Sequence, residues 1–266
     1  DRIIIEPSGV AQLSDILKVC NFFNREYDTE ILDRMVIVDI ACFEDCLEDY
    51  PKLKKEAANL DQFIPKGWEL MGSVNGDINK DGITDYVFIL ESKEKYKIPD
   101  DFMNKEFAHR ILGIAFGKKG GGYHLALQNN KFIINGDQNS SLDEPFLDME
   151  IKKNGTIWFK FYFFYSAGSW WVSNDTYVFR YQNNRFELIG HESSSLHRAT
   201  HEESTTSTNF STKMHHFTYT DENGKKETSK KKVKAMKPLL MEEIDPYDFN
   251  PLAHSYGESP FEKKEY

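Results

Sequence analysis

Between Trp68 and Glu192 apolar residues recur at every second position, and this constrains the chain more than any other feature. A period of two sends alternate side chains to opposite faces of an extended strand, whereas a helix repeats near 3.6. Residues 86–91 and 111–116 are compact apolar runs of strand length. Residues 151–158 hold two such runs around Asn154-Gly155, a strong hairpin signal because both turn positions tolerate positive φ. The next run, 158–165, is aromatic on both faces. Phe159, Phe161, Phe163 and Tyr165 share one, and Trp158, Tyr162 and Phe164 the other. Such a strand is expected to lie centrally and to be covered on both sides.

Upstream of Trp68 the period changes. Leu13, Ile16, Leu17, Cys20 and Phe23 follow helical spacing within 10–24, with Ser8 or Ser14 available as a cap. Residues 31–40 suit strand or helix, and 42–60 read as a helix interrupted near Pro51. The expected organisation is a helical N-terminal region over 1–64, a β domain over 65–245 and a tail over 246–266. The fold class is therefore mainly β, an antiparallel meander of propeller-like or sandwich-like type, with a helical N-terminal region. An internal echo supports it. The run from Tyr123 through Gln128-Asn129-Asn130-Lys131-Phe132 recurs from Tyr177 through Gln182-Asn183-Asn184-Arg185-Phe186. Both copies read as strand–turn–strand, and their separation of roughly 50 residues is blade-sized, although two copies suit an open meander better than a closed propeller.

Composition narrows the partners. Lys+Arg 33 against Asp+Glu 43 gives a net charge of −10, which disfavours nucleic acid because phosphate binding needs basic surface. No apolar run is long enough for a membrane-spanning helix. The 193–235 stretch, rich in Ser, Thr, His and Lys, is expected to form an insertion of exposed loops or mobile hairpins. Asp221-Glu222-Asn223-Gly224 would turn one hairpin, Lys230-Lys231-Lys232 would be a solvated edge, and 238–244 would return to the core. Cys20, Cys42 and Cys46 cannot all pair within the chain; Cys42 and Cys46 share a helical face, with free or buried thiols the simpler expectation.

One motif carries chemistry. Gly76-Asp77-Ile78-Asn79-Lys80-Asp81-Gly82-Ile83-Thr84-Asp85 fits D-x-N-x-D-G-x-x-D. Calcium takes six to eight oxygen ligands from a loop wound around it. Asp77, Asn79 and Asp81 alternate inward, Gly82 permits the sharp turn, the Ile83 carbonyl follows, and Asp85 adds another oxygen. The EF-hand is excluded, because Phe88 stands where its bidentate Glu belongs and the flanks read as strands.

Apolar strand, acidic loop and apolar strand over 72–91 together resemble the FG-GAP repeat of integrin-alpha-type propellers. The resemblance implies a structural Ca2+ held by Asp77, Asn79, Asp81, the Ile83 carbonyl and Asp85. No Phe-Gly pair precedes the loop and no Gly-Ala-Pro follows it. The wider order of features is similar to exported, often lipoprotein, bacterial proteins carrying a single such loop. It implies an exported protein, periplasmic, lipid-anchored or secreted, whose signal segment is not in this chain.

The remaining signals are weaker. Gly168-Ser169-Trp170-Trp171 follows a flexible turn, and the tryptophans either divide between core and rim or stack on a ligand. His197 and His201 have helical metal-pair spacing without the zinc-protease Glu, so the histidines of this region read as exposed loop residues. Gly117-Lys118-Lys119-Gly120-Gly121-Gly122 lacks the P-loop Lys-Ser/Thr ending and reads as a hairpin loop. The functional expectation is a non-catalytic calcium-binding β domain of the bacterial envelope whose partner is a protein, peptide or glycan. The alternative is a glycosidase-like hydrolase whose carboxylates meet only in the fold.

Overall fold

The computed structural model describes residues 50–99, 101–233 and 238–250. The helix expected over 10–24, the 31–40 segment and the three cysteines lie outside the described residues. So do residues 42–49; the described remainder, 50–60, forms no α-helix. The chain there forms a two-residue strand, β1 (Glu56–Ala57), and one 3-10 turn at Leu60–Phe63, with Asn59 accepting from the Gln62 N–H. The tertiary reason is that Leu53, Ala57 and Phe63 are each buried against a sheet.

The protein is mainly β, with two antiparallel sheets, neither of them closed. The first contains β2 (Trp68–Gly76), β3 (Asp85–Lys97), β4 (Glu106–Gly117) and β5 (Tyr123–Asn129), in the order β1-β5-β4-β3-β2. The second is a seven-stranded meander. Its strands are β6 (Phe146–Ile151), β7 (Thr156–Phe164), β8 (Trp171–Gln182), β9 (Arg185–His197), β10 (Glu203–Asn209), β11 (Met214–Thr220) and β12 (Lys226–Lys232), each paired with its neighbour in sequence.

The sheets share a core. Val87, Ile89, Leu112 and Ile114 from the first meet Ile157, Phe159, Phe161 and Phe179 from the second. Phe132 lies between them, edge-on to Phe159, Phe161, Tyr177 and Phe179 with ring centroids 5.0–5.7 Å apart. The opposite face of the first sheet is also covered, because Phe88, Leu90, Ile111 and Ala115 pack against Leu53, Phe63 and Trp68. The strands covered on both faces are thus β3 and β4. Strand β7 is not one of them: Phe159, Phe161 and Phe163 are buried, whereas Trp158, Tyr162 and Phe164 are half-exposed on a face that no second layer of the described residues covers.

The echo is only half structural. Asn183 and Asn184 both adopt positive φ, 53° and 58°, and close the β8–β9 hairpin as a two-residue turn. At the first copy Asn129 is still within β5 and is buried. Its Oδ1 accepts from the Lys131 and Phe132 N–H groups, both at 2.8 Å, and its Nδ2 donates to the Met241 carbonyl. That side chain turns the backbone out of the sheet and delivers Phe132 to the core. No returning strand pairs with β5 there.

Of the two forms expected for the polar 193–235 stretch, its described residues take the hairpins and not the loops. It completes β9 and forms β10, β11 and β12 in continuous register. Threonine and alternating polarity are compatible with a strand that has no apolar layer to face. Asp221–Gly224 does turn the last hairpin, with the Gly224 N–H donating to the Asp221 carbonyl, and the lysines lie on the edge strand. Met241 and Ile244 return to the core. No described helix is long and apolar enough to cross a membrane.

Candidate functional site

The loop between β2 and β3 begins at Gly76, which pairs with Asp85 at the mouth of the hairpin. Its form follows from its side chains. Short Asp and Asn side chains reach backbone N–H groups two to five residues ahead and so compete with regular strand pairing. Asp77 accepts from the Asp81 N–H through Oδ1 at 3.1 Å and from the Gly82 N–H through Oδ2 at 3.0 Å. Asn79 Oδ1 accepts from the same Asp81 N–H at 3.0 Å. Asp81 Oδ1 accepts from the Ile83 N–H at 2.8 Å. Lys80 and Gly82 take positive φ, 65° and 82°, and the chain curls around these oxygens.

Asp85 has a different place. It is fully buried, with Oδ2 accepting from Ile78 and Asn79 and Oδ1 accepting from Gly117. Burial pushes its carboxyl above the ordinary value, the three backbone N–H groups pull it back in part, and the Asp81 charge adds to the rise. Beside it Ile78 is buried in the shared core. The loop is therefore tied down at Ile78 and Asp85 while Asp77 and Asp81 stay near the surface.

Two glycines clamp it from outside. A Cβ on Gly117, at the end of β4, would collide with the Thr84 carbonyl oxygen and the Ile83 side chain. A Cβ on Gly155, in the β6–β7 turn at φ 76°, would stand 2.9 Å from the Ile78 carbonyl oxygen. Each glycine was legible only as a turn residue; its contact with the loop comes from strand order.

For a cation, Asp77 and Asn79 offer oxygens that converge on one N–H, and each keeps a free lone pair. Asp81 adds a carboxylate beside them, with Oδ2 accepting from Asn79 Nδ2. The donor set is hard oxygen, as calcium requires. Among the described residues no three His, Cys, Asp or Glu side chains already stand together as a cage. Asp85 faces the inner side of the loop, where backbone N–H groups hold it.

Trp170 and Trp171 are both exposed, at 63% and 41%, so neither enters the core. The Arg198 guanidinium covers Phe164 at 4.8 Å and Trp170 at 5.7 Å, and the Trp171 ring meets His197 edge-on. His197 ends β9, and His201 lies in the following turn at φ 61°, where its N–H donates to the His197 carbonyl. The histidines are not all exposed. His191 and His215 are buried, with His191 Nε2 3.2 Å from Asp175 and His215 Nδ1 2.8 Å from the Thr208 hydroxyl. The Gly117–Gly122 segment is the tight β4–β5 connection, closed by Lys118 N–H to Gly122 carbonyl.

Two grooves mark the surface. One, of ≈ 340 Å³, lies on the open face of the second sheet, and Glu192 is its single carboxylate. The other, of ≈ 360 Å³, runs along β5 beside Lys52 and Lys55 and contains no carboxylate. The chain matches no family model, no curated protein and no solved structure. What fold and site define at this level is a class, an open two-sheet antiparallel β protein with an acidic hairpin loop.

Proposed function

We propose that this chain is a non-catalytic binding domain of the bacterial envelope whose 76–85 loop is stapled by a structural Ca2+. The observation that carries the proposal is the convergence of Asp77 and Asn79 oxygens on the Asp81 N–H, with Asp81 beside them. Backbone N–H groups and Asn79 Nδ2 hold these acceptors together, and a bound ion would add an attraction to the two like charges, Asp77 and Asp81. Asp77, Asn79 and Asp81 would hold the ion with the Ile83 carbonyl, and Asp85 would join the set only by giving up backbone N–H groups that now hold it on the inner side of the loop. Gly117 and Gly155 let two neighbouring hairpins lean on the loop, so fixing it also fixes the strand ends around it. Export and an envelope partner, whether protein, peptide or glycan, rest on the likeness to single-loop FG-GAP proteins. The alternative, a glycosidase-like hydrolase, would need two convergent carboxylates at a cleft, and Glu192 is the single carboxylate of the groove on the second sheet.

The test is thermal melting of the full chain with calcium and with chelator. Calcium at a hundredfold excess over its dissociation constant adds about 2.7 kcal/mol, which raises Tm by roughly 5–10 °C for a domain of this size. Asp81→Ala removes the shift. Identical melting of the wild type in calcium and in chelator overturns the proposal.

A further inference from the structure

Among the described residues no layer covers one face of the second sheet, and the chemistry of that face is not that of a stripped core. Directly paired residues in antiparallel strands share a face. One row crosses the sheet as Tyr162, Asn174, Ser194, Thr205 and Thr218, each opposite the next. The adjacent row runs Thr176, Glu192, Ser207 and His216. From β8 to β11 these two rows line the ≈ 340 Å³ groove. Among the described residues the hydroxyls and amide of Asn174, Ser194, Thr205 and Ser207 are spent on no protein hydrogen bond, and Thr218 has only a 3.4 Å contact with Thr228.

Along β7 the same face becomes aromatic. Tyr162 and Phe164 are stacked, with ring centroids 6.3 Å apart and planes 17° apart, and Tyr162 abuts Asn174 in register. Arg198 bridges Phe164 to the exposed Trp170. The result is a flat ring platform beside an array of unpaired hydroxyls.

Charge selects among occupants. The groove holds one carboxylate and one imidazole, and the remaining lining groups are neutral. A polyanion would meet a chain of net charge −10 and a groove lined by Glu192 and by no Lys or Arg, since Lys160 and Lys230 lie in register only beyond its two ends. A protein partner would favour an apolar, Ser- and Glu-poor centre. A neutral polyhydroxylated chain matches both halves, because each Ser or Thr hydroxyl both donates and accepts, and an aromatic face takes the apolar face of a ring.

We propose that the open face of β7–β11 is a binding groove for a neutral glycan chain, with Tyr162 and Phe164 stacking on sugar rings and Asn174, Ser194 and Thr205 bonding their hydroxyls. It rests on the reading of the chain as a binding domain and gives that reading a face and a ligand class. The experiment is native affinity electrophoresis of the full chain in calcium-containing gels. The gels carry hydroxyethylcellulose, soluble starch, galactomannan or xylan, with polygalacturonate as the anionic comparison. Retardation in at least one neutral gel is expected, weakened tenfold or more by Tyr162→Ala. Thr205→Val with Thr218→Val keeps the β-branched shapes and removes only hydroxyls; it weakens retardation at least threefold with an unchanged melting curve. No retardation in any neutral gel, equal retardation of wild type and the double variant, or retardation confined to polygalacturonate overturns the proposal. The calcium-dependent melt reports on the 76–85 loop alone, so failure of either proposal is seen separately.

Discussion

The two sheets solve the same problem with different amounts of apolar cover. In the five-stranded sheet β3 and β4 are sandwiched: Val87 and Ile89 face the shared core, and Phe88 and Leu90 face the layer built from residues 50–64. In the seven-stranded sheet the strands of the shared core are β6 to β9, while β10 and β12 are rich in Ser, Thr and Lys and β11 carries His, Thr and the half-buried Phe217 and Tyr219. Stability is thus concentrated where burial is double. The second sheet spends its length on surface, and that is where an open groove and unspent hydroxyls are found.

The largest expected contrast is between two aromatic truncations. Phe88→Ala removes a fully buried ring stacked on Phe63 and is expected to cost about 3–5 kcal/mol by urea denaturation. Trp158→Ala on the open face should cost about 1 kcal/mol, the ordinary size of a half-exposed substitution. Equal costs would mean that the open face is covered in solution and would end the comparison.

Next is the clamp that joins the first sheet to its loop. Gly117→Ala drives a methyl into the Thr84 backbone and is expected to destabilise by about 2 kcal/mol. Because the strain falls on the loop, it should also reduce the calcium-induced rise in Tm. A full calcium shift in Gly117→Ala would separate the clamp from the loop.

The smallest effects are in pH dependence, and they divide by sheet. Burial lowers the His215 pKa below 6.5, with Lys231, His216 and His191 adding to the fall. The unfolded chain then binds the proton more readily. The His215 contribution is complete above 6.5 and is lost as pH falls below it. Glu91, in the first sheet, is raised by burial but lowered further by Lys95 and by Arg110, and lies below its ordinary 4.5. Its contribution is present above 4.5 and is lost as pH falls through its folded value. Chemical denaturation against pH should show His215→Gln flattening the upper window and Glu91→Gln the lower one. Interchanged windows would contradict the assignment.

Several elements were legible because their signals are local. Gly155 and Asn183-Asn184 turn hairpins through their own φ preferences, Asn154 accepts from the Thr156 N–H beside Gly155, and the curl at Asp77–Gly82 follows from Asp and Asn side chains reaching nearby N–H groups. Local pattern misled where the answer depended on distant neighbours. Asn129 matches Asn183 in sequence, yet it ends β5, bonds Met241 and turns the chain after it out of the sheet. Residues 203–232 lack apolar alternation and still form three strands, because β9 offers an edge on which they pair in turn. The open aromatic face of β7 and the buried His191 and His215 were invisible for the same reason.

The sequence by itself determined that the chain is β, where four of its hairpins turn, and that three carboxylates fall within one short loop. These depend on side-chain period and on contacts within a few residues. Only the tertiary structure decided which strands are covered twice, that Gly117 and Gly155 press on that loop, and that one sheet face stays open. Period two tells every strand that it has two faces. What lies against each face is set by the order in which strands and layers assemble, and no local pattern encodes that order.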